Sequence, residues 1–360
     1  MKTRSILFLT ALLFTVYSCK DKNAASIADN ADSADILLYS PRGYNYSTGD
    51  TVKMMVKYPA SLAVDSVVYL IDSVRVTSVK DSSYAYINSD TLKMGTRSLT
   101  AKVYQGGKVK SVSADIYLKA GAPPQFLTYK VIKKYPHDIS AYTEGLIYED
   151  GVLYESTGEK EHSEIRKVDL ATGKVLQRTK LDDKYFGEGI AIVGDEIVMF
   201  TYREKVGFVF DKKTLKLKRQ FNNNVGVEGW GATFDGQRIY LDDSTNRIWF
   251  LDKNDYRQTG FIDVFDSRGA VEQINELEYV DGKIYANIYT YDNIVVINPK
   301  NGAVEQSVNM ANLWPYQERP KNFDSENNVL NGIAYDAKGK RFFVTGKKWP
   351  WLYQVEFVRK

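Results

Sequence analysis

Residues 144–357 of this chain repeat one pattern, and such a repeat leaves few folds open. The stretches 144–154, 188–198, 228–240, 275–285 and 331–343 each read as an apolar run, a tight turn and a second apolar run. Third runs recur at 164–169, 206–211, 247–252 and 293–298. Each is followed by a turn such as Ala171-Thr172-Gly173 or Lys300-Asn301-Gly302, and then by a fourth run. A spacing of about 40 to 56 residues is that of four-stranded propeller blades. Period-two alternation and a rich supply of Tyr, Val, Ile and Thr favour strands over a helical repeat. After Asn331 the chain has room for three strands, the last at 352–358. The missing outer strand is expected from 126–134, so that pairing the two chain segments leaves no bare edge. The expected fold is all-β, with a five-bladed β-propeller over 125–360.

Ahead of the repeat, residues 35–121 read as short strands broken by turns. The clearest piece is a hairpin in which Leu99, Ala101 and Val103 alternate, Gln105-Gly106-Gly107-Lys108 turns, and Val109, Val112, Ala114, Ile116 and Leu118 follow. Glycines accept the positive φ such a turn requires. About seven strands in this length predict a small immunoglobulin-like β-sandwich, a spacer or docking module with no convergent polar cluster. Gly121-Ala122-Pro123-Pro124 marks a stiff linker.

The first 18 residues read as a signal peptide: Lys2 and Arg4 precede an apolar stretch, 6–16, too short to span a bilayer. It ends at Val16-Tyr17-Ser18-Cys19, which resembles a bacterial lipobox, with Tyr17 an unusual occupant. Cleavage before Cys19 would leave that residue to carry acyl chains, each buried CH₂ contributing about 0.8 kcal/mol. The alternative is a plain secretory signal with an incidental cysteine. Residues 19–34 are polar and read as a flexible tether. The expected location is the bacterial cell envelope, on the outer membrane, facing the periplasm or the surface.

Lys and Arg number 48 against 45 Asp and Glu, which offers no concentrated basic face for a nucleic acid. One cysteine excludes an intramolecular disulfide. With only two histidines, His137 and His162, a His/Cys zinc site is disfavoured, and both read as ordinary surface or loop residues. Glu144, Glu188, Glu228, Asn275 and Asn331 occupy equivalent places at the head of the first strand in each repeat. In a propeller that strand lines the central channel, so these five should ring one mouth. Crowding and burial raise carboxyl pKa values towards the range acid/base catalysis uses; the plainer reading is that polar side chains at a mouth simply stay wet.

Tyr142-Thr143-Glu144-Gly145-Leu146, Glu155-Ser156-Thr157-Gly158, Arg166-Lys167-Val168, Tyr185-Phe186-Gly187-Glu188-Gly189, Asn275-Glu276-Leu277-Glu278-Tyr279, Leu330-Asn331-Gly332-Ile333-Ala334 and Val344-Thr345-Gly346-Lys347 together resemble the glutaminyl-peptide cyclotransferases of plants and bacteria. The resemblance runs over 132–357 and leaves the front module outside. It implies a five-bladed propeller that converts the N-terminal glutamine of peptides or proteins to pyroglutamate with release of ammonia, as a monomer and without metal or cofactor. It further implies that Glu188 is the general acid/base, that Asn275 and Lys347 hold and polarise the substrate amide, and that Trp230 is an active-site aromatic. Glu144, Tyr289, Asn331 and Glu228 complete the expected substrate-binding set. Two positions depart from the plant pattern: Glu144 stands where glutamine is expected, and Tyr289 where a pocket tryptophan is. Lys347 could instead pair with a rim carboxylate, and Trp349 and Trp351 read as inter-blade packing, with Trp349 near the pocket. Two rival functions are an inactive propeller serving as a binding platform and a propeller hydrolase with a channel metal.

Overall fold

The computed structural model describes residues 36–360 apart from Arg42 and Tyr44. The expected signal peptide, Cys19 and the tether lie outside the described residues. All regular structure here is strand, save two short 3₁₀ turns at Ser89–Thr91 and Tyr316–Glu318. No helix among the described residues is long and apolar enough to cross a membrane.

The front module holds eight strands in two sheets. Leu37–Ser40, Thr51–Lys57 and Ala85–Asn88 form one; Asn45–Ser47, Ser66–Ile71, Val74–Val79, Gly95–Gln105 and Lys108–Lys119 form the other. In Thr51–Lys57 alternate residues Val52, Met54 and Val56 are buried while Lys53 and Lys57 face water, as a half-buried strand requires. They meet Val67, Tyr69, Leu99, Ala101, Ile116 and Leu118 in one core. The predicted hairpin closes with Gln105 paired to Lys108, Gly106 and Gly107 having φ of 49° and 79°.

Behind the module come three four-stranded antiparallel sheets, each a meander in chain order. The first contains Thr143–Glu149, Val152–Thr157, Glu164–Val168 and Val175–Lys180; the second Gly187–Val193, Glu196–Thr201, Val206–Asp211 and Leu217–Asn222. The third contains Ala232–Phe234, Arg238–Asp242, Arg247–Asp252 and Gln258–Asp263. An eight-stranded sheet follows. Its meander Ile274–Val280, Lys283–Ile288, Asn293–Ile297 and Val304–Asn309 is joined through Gln125–Pro136 to Trp351–Arg359, Arg341–Gly346 and Leu330–Asp336. The strand 125–136 thus supplies the outer partner the sequence called for. Leu127–Pro136 runs antiparallel to Trp351–Arg359, while Gln125–Leu127 pairs parallel with Gln306–Val308.

Strands that are apolar on both faces explain the stacking. In Glu196–Thr201, Ile197 and Met199 join Ile190, Phe208 and Phe210 on one side, whereas Val198 and Phe200 join Ala232, Ile239 and Leu241 on the other. Period-two alternation therefore divides each second strand between two inter-sheet cores, and each such buried side chain contributes about 1.5–3 kcal/mol. The strands 143–149, 187–193, 232–234, 274–280 and 330–336 touch in that order, and the last touches the first. The ring they close brings their N-terminal ends together.

The front module is docked on this ring. Met94 N–H donates to Asn301 O at 2.8 Å and Lys93 Nζ to Phe261 O at 3.0 Å. Buried Arg97 donates to Asp263 through Nη2, and Asp263 also accepts from Arg247 Nε at 2.7 Å.

Candidate active site

Strand pairing fixes which residues are equivalent. Leu146, Ile190, Ala232, Leu277 and Ile333 pair with Glu155, Met199, Leu241, Ala286 and Val344. Two residues earlier stand Glu144, Glu188, Trp230, Asn275 and Asn331. Four of the five expected ring positions are therefore in place, and the fifth is corrected: Trp230 holds it, and Glu228 lies before the short strand Ala232–Phe234. The Glu-Gly pair at 228–229 imitates the repeat, but the ladder belongs to Trp230-Gly231. A glycine follows four of these residues, Glu276 following Asn275 instead, and lets neighbouring inner strands approach. At Gly189, whose N–H donates to Trp230 O at 2.9 Å, a Cβ would lie 2.4 Å from that carbonyl oxygen.

Glu144, Glu188, Asn331 and Lys347 are brought into one buried cluster. Lys347 Nζ stands 2.7 Å from both carboxylate oxygens of Glu144. Asn331 Nδ2 donates to Glu144 Oε2 at 3.3 Å and to Thr143 O at 2.9 Å. The Glu188 carboxyl lies close enough to that of Glu144 to feel its charge, and two bare carboxylates so placed repel. Burial pushes both above the usual carboxylate range, and Lys347 opposes this at Glu144. Glu188 rises well above it through burial first and then the charge of Glu144, with Asp242 and Glu228 adding to it. Burial and the neighbouring charge thus disfavour the ionised form more at Glu188 than at Glu144, which is the partner of Lys347. The rim alternative for Lys347 is realised as a pair, but with a channel carboxylate and out of water, both side chains being under 5% exposed.

Five half-buried aromatic residues frame the cluster. Phe186 packs edge-on to Tyr142 and tilts against Tyr202, with ring centroids 6.1 and 5.5 Å apart, and Trp230 stands edge-on to Tyr289 at 5.4 Å. Lys347 Nζ lies 4.4 Å from the Tyr142 ring centroid and 5.4 Å from that of Tyr289, so the predicted Tyr289 wall faces the lysine. Glu228 accepts from Trp230 Nε1 at 3.0 Å and from Arg203 Nε at 2.6 Å, which makes it a brace for the wall. Asn275 is buried with its Oδ1 unpartnered among the described residues, as is Oδ1 of Asn331.

Several residues at the site escaped the sequence reading. His137 is no surface residue: it is buried, with Nδ1 2.7 Å from Trp349 O and Nε2 2.9 Å from Glu155 Oε1. Glu155 also accepts from Thr143 Oγ1 at 2.7 Å and Arg166 Nε at 2.8 Å, and the Arg166 charge, with the contacts of His137 and Thr143, holds its carboxyl far below the usual range despite burial. This network ties the segment after Lys347 to the strand bearing Glu144. His162 is exposed, as expected. Glu276 accepts from Leu146 N–H at 3.0 Å and Ile333 N–H at 2.7 Å, and Glu278 from Tyr335 N–H at 2.8 Å. They clamp neighbouring inner strands, and burial pushes Glu278 up to about 8. Trp349 is buried against Trp314 and Tyr353, matching the packing role. Trp351 is 38% exposed and lies on the strand paired to Pro136, so its expected inter-blade role is corrected. No cluster of three or more His, Cys, Asp or Glu side chains suited to a metal occurs among the described residues.

The sequence and the fold match known proteins. The family model for glutamine cyclotransferase covers residues 100–357, starting ahead of the motifs, within the strand Gly95–Gln105. A glutaminyl-peptide cyclotransferase of Arabidopsis thaliana is 36% identical over 228 residues, 63% of this chain and 70% of that protein. A crystal structure of Myxococcus xanthus glutaminyl cyclase aligns with a TM-score of 0.61 at 28% identity, over 65% of this chain and 98% of the other. The chain belongs to the glutamine cyclotransferase family.

Proposed function

We propose that this chain cyclises the N-terminal glutamine of peptides or proteins to pyroglutamate, with Glu188 as the acid/base. The observation carrying this is the buried Glu188–Glu144–Lys347 cluster inside an aromatic frame, in a chain of this family. In the reaction the α-amine attacks its own side-chain carbonyl, forming a C–N bond, and the amide C–N bond breaks to release ammonia. Nucleophile and electrophile belong to one molecule, so selecting the folded-back conformer supplies much of the catalysis. Ionised Glu188 takes a proton from the attacking amine and returns it to the departing nitrogen. Asn275 and Lys347 hold and polarise the amide, the unspent donor of the ammonium group facing the oxygen that gains charge. Tyr289 and Trp230 wall the glutamine side chain, Asn331 and Glu144 orient Lys347, and Glu228 fixes Trp230. A glutamine peptide incubated with the chain should yield ammonia and pyroglutamate in equal amounts; neither product from folded protein would sink the proposal.

The five ring positions and the cyclic strand contacts support a five-bladed propeller over 125–360. The two-sheet front module supports an immunoglobulin-like sandwich over 35–121. We further propose that the chain is a monomer whose 1–18 segment is a signal peptide, with a lipid on Cys19 and a tether over 19–34 at the bacterial cell envelope. A chain with Cys19→Ala should then leave the membrane fraction, and its retention there would count against the anchor.

A further inference from the structure

Arg203 stands at the edge of the aromatic frame, and beyond its Nε contact with Glu228 the site as described gives its guanidinium no task. Its side chain is 67% exposed, yet it is fixed. Nε donates to Glu228 Oε1 at 2.6 Å, and the guanidinium carbon lies 4.5 Å from the Tyr202 ring centroid. Glu228 is itself held by Trp230, and Tyr202 packs on Phe186. The two sides of the frame therefore meet at this arginine. Its Nη groups bond to nothing among the described residues. An exposed arginine ordinarily loses much side-chain freedom on binding, but this one is held at Nε and over a ring before any ligand arrives. Free, pre-oriented N–H donors of a planar guanidinium suit acceptor oxygens, carboxylates above all.

The substrate defines what passes here. An N-terminal glutamine reaches the Glu188 cluster with its own amine and side chain, so the rest of the peptide must leave across the rim. We infer that Arg203 recognises the peptide beyond its first residue, its Nη groups binding acceptor oxygens there: a side-chain carboxylate or a main-chain carbonyl. This rests on the cyclase reading of the cluster and adds a substrate contact outside it.

The test compares three substrates with the unaltered full chain and with Arg203→Met: glutaminamide, Gln-Ala-Ala-amide and Gln-Glu-Ala-amide. Arg203→Met should raise KM for both tripeptides about 3- to 10-fold, the range of a single exposed charge-assisted contact. It should change kcat less than about twofold and leave glutaminamide turnover as it was, since uniform binding is what is lost. A larger loss for the Glu peptide identifies the side-chain carboxylate, and equal losses identify the main chain. Arg203→Lys, which keeps charge without the planar fork, should recover part of the difference. Unchanged KM for the tripeptides would overturn the inference. An equal rise for glutaminamide would also overturn it, showing that Arg203 acts only by bracing Glu228 and Trp230. Glutaminamide turnover by the unaltered chain tests the cluster itself, so the two readings fail separately.

Discussion

At the scale of single residues, the site depends on where one proton sits. Glu188 is buried beside Glu144, so its ionised form is disfavoured, while Lys347 compensates Glu144. The base is the ionised carboxyl; raising its pKa moves the onset of activity to higher pH. The acidic limb of the kcat profile should therefore lie well above the ordinary carboxyl range near pH ~4.3. Glu144→Gln removes the neighbouring negative charge and leaves Lys347 facing Glu188, so it should move that limb to lower pH. Substrate-amine titration is common to both proteins and cancels in the comparison. A limb that stays in place in Glu144→Gln would show that the two carboxyls are not coupled. The cluster was partly legible in sequence because Glu144, Glu188, Asn275 and Asn331 recur with the repeat. Glu228 was misassigned because a Glu-Gly pair two residues early mimics the motif where the third inner strand is short. His137, Glu155 and Arg166 follow no period; their network joins segments far apart in sequence, and only the fold brings them together.

At the scale of elements, strand type and order were readable because each strand is apolar at period two and ends in a Gly, Asp or Asn turn. The pairing of 125–136 with 351–359 was readable from the strand count. Its added parallel contact with 306–308 was not, since three residues of pairing leave no pattern. Glu276 and Glu278 show a related blind spot. They stand in a motif that the resemblance rests on, but no sequence pattern reveals their task, which is to hydrogen-bond backbone N–H groups of neighbouring inner strands. Glu278 carries a consequence for stability. Its folded pKa of about 8 exceeds the value near ~4.3 of an unfolded chain, so between those values the folded state binds more protons. Stability must then fall as pH rises through that window. Glu278→Gln keeps an acceptor without titrating, and its melting temperature should decline less from pH 5 to pH 8 than that of the unaltered chain. Parallel declines would mean that Glu278 does not contribute.

At the scale of the whole molecule, the ring and the front module share a buried charge contact. Arg97 of the module is 4% exposed and bonds Asp263 at the edge of the third sheet. Asp263→Asn would leave that guanidinium with only the half-exposed Asp72 as a charged partner. Removing one partner of a buried pair costs about 3 kcal/mol or more, so the variant should melt earlier, with the module and the ring separating into two transitions. A single transition at the original temperature would show that the docking contributes nothing to cooperativity. None of this contact was visible in the sequence, because Arg97 sits in an ordinary alternating strand and its partner lies in a distant sheet.

The central claim is that Glu188 handles the proton in cyclisation, and ammonia release from a glutamine peptide by Glu188→Gln tests it most directly. The side chain keeps its size and loses its ability to ionise, and loss of a general acid/base costs about 10²- to 10⁴-fold in rate. A fall of that order at every pH from 6 to 9, in protein that melts like the unaltered chain, is the expected result. Release at the original rate would contradict the assignment and move the proton-handling group elsewhere in the cluster.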